Sequence, residues 1–152
     1  MSSTLGFVAI VVIYLTIGIL AVVGTAALSQ RFLRPKAEQI FYAAFLIAIA
    51  SFYLAFNAYF ETAGSWRTEL TAVAFFSLFG LAGVRFPVAL ILGYPLHGLW
   101  DLLHELNAHG AGQDGALTAI PLAYGAFCAT FDLGAAVYVY LRRRAWIAAW
   151  GH

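Results

Sequence analysis

Charge is what this chain has least of. Of its 152 residues 10% are Asp, Glu, Lys or Arg, against 63% hydrophobic, and the mean hydropathy is +0.86. A soluble domain carries about 25% charged residues and roughly 45–50% apolar ones. So little charge cannot coat a surface that faces water, which excludes an ordinary soluble domain and leaves no room for a second one. The net charge of +1 is spread over scattered cations, so no basic patch fit for nucleic acid exists. Cysteine is almost missing: Cys128 stands alone, which excludes an internal disulfide and suits a small packing residue.

What is present is apolar length. A membrane-spanning helix needs about 20 mostly apolar residues, and five stretches qualify: about 5–28, 39–60, 69–85, 87–106 and 116–141. The expected fold is therefore all-α, a single polytopic bundle of about five transmembrane helices. The connections are short and carry the breakers. Pro35 lies in the first, Glu61 to Arg67 forms a polar turn, Pro87 suits a helix start, and Asn107 to Gly115 is a Gly-rich loop. Met1 to Thr4 has no cation, so the first apolar run reads as a retained span, not a signal peptide.

Cations fix the expected orientation, because Lys and Arg are retained on the cytoplasmic side. Arg31, Arg34, Lys36, Arg85, Arg142, Arg143 and Arg144 fall on one side of a five-span chain, and only Arg67 on the other. That bias places the N-terminus out and the C-terminus in. Trp146 and Trp150 beyond the triple Arg, and Trp66 at the opposite surface, suit the interfaces.

Ionisable groups inside such helices cost about 2.5–3.5 kcal/mol each at the bilayer centre, so they mark function. His97, Asp101 and His104 stand at i, i+4 and i+7, and at ~100° per residue they share one face. Glu105 lies just off that face. Pro95 frees a carbonyl nearby, and Gly98 admits a close neighbour. In the second span Tyr53, Asn57 and Glu61 also recur every four residues, as do Tyr124, Cys128 and Asp132 in the fifth. Counting ~1.5 Å of rise per residue from each helix end puts His97 and Asp132 at nearly equal depth, near the midplane. The expectation is one polar site on helices two, four and five, opening outward.

Imidazole and carboxylate at this spacing can hold a divalent metal, zinc or iron, with Glu61, Asp132 or His109 completing the set His97, Asp101 and His104. Without metal, the same groups can exchange protons with an apolar substrate or relay them in a transporter. Asp101-x-x-His104 is half of a carboxylate-bridged di-iron motif, but no second half exists. Four histidines in all are too few for the histidine boxes of membrane desaturases. A haem needs axial histidines from facing helices, which one chain does not offer. Tyr53, Tyr94 and Trp100 are expected to pack, Arg85 to set topology, and Glu38, Glu69 and Asp114 to lie in loops or at the interface.

The run His97-Gly98-Leu99-Trp100-Asp101-Leu102-Leu103-His104, H-G-x-W-D-x-x-H, resembles a motif of a family of small, functionally uncharacterised bacterial membrane proteins. The resemblance implies a multi-pass protein of the bacterial inner membrane and marks this segment as its functional centre. It implies no activity. A weaker likeness is to membrane-embedded metal hydrolases of the alkaline ceramidase and progestin-receptor type. It would give His97, Asp101 and His104 metal or catalytic parts, although those proteins have seven spans with histidines on separate helices.

The sequence thus leads to a membrane protein with catalytic candidates His97, Asp101, His104 and Asp132 and metal candidates His97, Asp101, His104 and Glu61. Its expected partners are the lipid bilayer and a lipid-like or isoprenoid substrate. The alternatives are a proton- or ion-coupled transporter and an accessory subunit of a membrane complex. So small a bundle also suits a homo-oligomer.

Overall fold

The computed structural model describes residues 3–62, 64–109 and 117–151, with the backbone alone at Ser3 and His109. Asp114 and the His109 side chain, named above, lie outside the described residues. Five helices follow in order: α1 (Ser3–Phe32), α2 (Pro35–Phe60), α3 (Trp66–Gly83), α4 (Pro87–His109) and α5 (Tyr124–Trp150), with no strand among the described residues. Three of them, α1, α2 and α5, are long and apolar enough to cross a membrane.

Local chemistry sets the helix ends. Pro35 and Pro87 open α2 and α4 at the first helical position, where a missing N–H costs nothing. α2 stops at Glu61, whose backbone turns left-handed (φ 52°). The fifth helix begins later than the pattern predicts, at Tyr124 instead of about 116. Pro121 and the left-handed Ala123 (φ 59°) hold the preceding chain out of the helix. The N-terminus of α5 is capped from another helix: Glu105 of α4 accepts the N–H groups of Ala123 at 3.0 Å and Gly125 at 2.9 Å. This satisfies two of the donors that every helix start leaves over, with negative charge at the positive end of the dipole.

The helix pair α4–α5 is the most extensive contact of the bundle, and α1 leans on α5 while scarcely touching α2. Two glycines allow the close approach of α4 and α5. A Cβ at Gly125 would stand 2.4 Å from the Asp101 carbonyl oxygen, and one at Gly98 would stand 3.3 Å from Ala129 Cα and Asp132 Cβ. Large apolar side chains cover the outside of all five helices, including Leu20, Phe52, Leu78, Leu103 and Leu141.

The interior is layered along the bundle. At the end that gathers the cations, Glu38 is fully buried. It accepts Arg142 Nε (3.1 Å) and Nη2 (2.8 Å), Trp146 Nε1 (2.7 Å) and the Tyr138 hydroxyl. Beside it Gln39 donates to the Gly83 carbonyl and accepts from Trp150 Nε1. Lys36 and Arg85 both lie over the Trp150 ring, at 5.1 and 4.8 Å. The connections before α2 and before α4 therefore meet the C-terminal helix at one end. Above this clasp is an apolar slab of Tyr42, Leu46, Leu90, Tyr94, Phe131, Ala135 and Val139. The layer beyond the slab is polar.

Two expectations are corrected here. Glu38 and Glu69 are interior residues with specific partners, not loop or interface residues. Each sits within the first turns of its helix, and neighbours from sequence-distant helices close over it.

Candidate functional site

The polar layer begins at His97. Gly98 lets α5 approach so closely that His97 Nδ1 lies 2.7 Å from Asp132 Oδ2, and it also lies 3.2 Å from Asp101 Oδ2 one turn further along α4. All three residues are buried, and their ligating atoms lie within 4.8 Å of one another. Tyr53 of α2 donates its hydroxyl to Asp101 Oδ1. Phe76 of α3 stands edge-on to the His97 ring with centroids 4.8 Å apart. Helices two, four and five thus converge here, with the third closing the side.

The electrostatics of this group are unbalanced. One imidazole nitrogen faces two carboxylates, and its single proton can bridge only one of them well. Asp132 Oδ1, Asp101 Oδ2 and His97 Nε2 have no hydrogen-bond partner among the described residues. Buried acceptors without donors are rare in folded proteins and costly, more so when charged. A divalent cation removes the imbalance, since two carboxylates and a neutral imidazole leave no net charge around it. Tetrahedral ligands about 2.0–2.1 Å from zinc stand roughly 3.3 Å apart; the 3.2 Å between His97 Nδ1 and Asp101 Oδ2 matches this, whereas the 2.7 Å to Asp132 Oδ2 is a hydrogen-bond length that a cation would widen. The residues that could hold a metal are therefore His97, Asp101 and Asp132.

His104 and Glu61 are placed elsewhere. His104 Nδ1 is 3.0 Å from the Trp100 carbonyl, which can only accept, so this nitrogen carries a proton. Its Nε2 is 2.9 Å from Glu69 Oε1, which also accepts the Thr118 N–H at 2.9 Å. Both faces of His104 are thus engaged, and a shared proton must lie between Nε2 and the Glu69 carboxylate. The Tyr53 ring packs over His104 at 4.2 Å between centroids while its hydroxyl reaches Asp101, so Tyr53 joins the two polar groups. Glu61 is exposed at the left-handed end of α2, outside the ligating group, although Asn57 of the same face is buried against Ser65.

Glu69 is the residue that sequence reasoning missed, whereas Tyr53, expected on the polar face of the second span but only to pack, also supplies a hydroxyl to Asp101. Tyr53 shares the face of Asn57, four residues apart, and that spacing was the available signal. For Glu69 there was none: its pairing with His104 depends on how α3 is rotated against α4.

No curated protein and no solved structure matches this chain. A family model does match, over residues 9–145. The chain belongs to DUF6010, a family of unknown function.

Proposed function

We propose that this protein is a multi-pass membrane protein whose His97–Asp101–Asp132 group binds one divalent cation, zinc or iron, and acts on a lipid-like molecule. The observation that carries the reading is the burial of two carboxylates against one imidazole nitrogen, with candidate ligand atoms within 4.8 Å of one another and short of donors. Five crossings with the C-terminus in the cytoplasm are supported by the meeting of Lys36, Arg85 and Trp150 at one end of the bundle. The apolar covering of every helix supports a lipid surround.

Bound there, a divalent metal supplies Lewis acidity, polarising a carbonyl or acidifying a water. The protein's own residues do the rest. Tyr53 orients Asp101 by its hydrogen bond, as outer-shell partners do for metal-binding carboxylates. Asp132 keeps Oδ1 as a free proton acceptor, while both oxygens of Asp101 are committed to Tyr53 and to the centre. Phe76 and the apolar slab exclude water from His97.

A second reading, proton relay without metal, is favoured by two buried proton-sharing groups, Glu69 with His104 and Tyr53–Asp101–His97–Asp132, which meet only where the Tyr53 ring packs over His104. Elemental analysis of the detergent-purified protein separates the two. About one zinc or iron per chain is expected in the wild type, lost in His97→Ala and kept in His104→Ala, because Glu69 already occupies His104. A wild type without metal overturns the first reading, and proton flux in liposomes then tests the second.

A further inference from the structure

A cavity of about 230 Å³ lies beside the centre, lined by Ala21 and Thr25 of α1, Ile49 and Phe52 of α2, and Cys128 and Asp132 of α5, with further aromatic rings. Its place follows from the packing: α1 rests on α5 and hardly touches α2, so the seam between α1 and α2 leaves a side opening toward the surrounding lipid. The walls are mostly apolar, with the Thr25, Tyr124 and Cys128 side chains as neutral polar members. The one carboxylate is Asp132, fully buried, with Oδ2 held by His97 and Oδ1 lacking a partner.

An ionised carboxylate only accepts hydrogen bonds, so the complement of this cavity is a donor. A neutral donor on an apolar chain can reach it through hydrocarbon, whereas a charged one enters only at a cost of several kcal/mol. The volume falls below the roughly 300–1,000 Å³ of pockets that enclose a whole drug-sized ligand. It takes the end of a chain, with the remainder running out between α1 and α2.

We propose that this cavity receives the hydroxyl end of a long-chain alcohol, which enters sideways through the α1–α2 seam and donates to Asp132 Oδ1. The inference rests on the reading of His97, Asp101 and Asp132 as the functional centre and names the substrate class it takes. Asp132 is then shared: one oxygen faces the centre and the other faces the ligand.

The test is photolabelling of the wild type in phosphatidylcholine nanodiscs. The probe is a long-chain alcohol bearing a diazirine a few carbons from the hydroxyl, and labelled peptides are mapped by mass spectrometry. Label is expected to concentrate in segments 21–25, 49–52 and 124–132. Hexadecanol should displace it at about tenfold lower concentration than hexadecane, the effect of one hydrogen bond to a charged acceptor. Ala21→Trp and, independently, Ile49→Trp fill the mouth and should abolish this labelling. Label spread evenly over lipid-facing positions such as Leu78 and Leu81, or equal competition by hexadecane, overturns the proposal. Metal content is measured on the same samples. Selective labelling of a metal-free wild type sinks the metal reading and leaves the cavity assignment standing. Indiscriminate labelling of a metal-loaded protein sinks the cavity assignment alone.

Discussion

Tyr53→Phe removes one oxygen and nothing else. The ring keeps its place over His104 and against Phe56, so the bundle should fold as before. What changes is Asp101 Oδ1, which loses its donor inside a dry interior. The magnitude can be reached by two routes. A buried acceptor stranded by loss of its partner costs about 1–3 kcal/mol. Loss of an outer-shell partner typically weakens metal binding by about 10–100-fold, which is about 1.4–2.8 kcal/mol. The agreement gives a definite expectation: the metal dissociation constant of Tyr53→Phe rises by one to two decades, on the order of 10–100-fold. Competition with a fluorescent chelator in detergent measures it, with thermal unfolding alongside to confirm an intact fold. A dissociation constant within about twofold of the wild type, below 0.5 kcal/mol, would refute the claim that Tyr53 positions Asp101 for a cation.

Three further outcomes follow from the interior contacts. Glu38→Gln places an amide among three donating side chains and should cost about 2–4 kcal/mol, since Arg142 is 22% exposed and can turn to water; this appears as a fall in Tm of roughly 10 °C. Gly125→Ala drives a methyl against the Asp101 carbonyl, so α4 and α5 must part, at about 1–3 kcal/mol by thermal unfolding; an unchanged Tm contradicts the close packing described. Glu69→Gln requires one atom both to accept from Thr118 and to donate to a neutral His104, which it cannot do. A loss of about 1–3 kcal/mol is expected there, and full stability would mean that the pair is not built as described.

The sequence made the helices legible wherever apolar length and a breaker coincide. The start of α4 at Pro87 and the end of α2 at Phe60 lie where expected, whereas α2 begins at Pro35, four residues before the expected 39, because a proline placed in the connection serves as the first helical residue. The fifth helix starts later than expected because Leu117 to Ala123 is as apolar as a span, and only Pro121 hints that it is not helical. Within the site, equal depth was calculable from rise per residue, so the meeting of His97 with Asp132 could be anticipated. Rotation was not calculable. Glu61 shares its spacing with Asn57 yet turns outward where the backbone becomes left-handed, and Glu69 and Glu38 turn inward although both lie near helix starts. His104 stands on the same face as Asp101, but helix three, not helix two, supplies the residue that engages it.

The clasp around Glu38 has a consequence for how the protein is made. Its acceptor is synthesised in the second helix, while Tyr138, Arg142 and Trp146 come 100 or more residues later. Until the last helix is made the carboxylate lacks these three partners. A chain cut short before Tyr138 therefore carries a lasting polar defect at the same edge of its bundle, a feature by which unfinished copies differ chemically from finished ones.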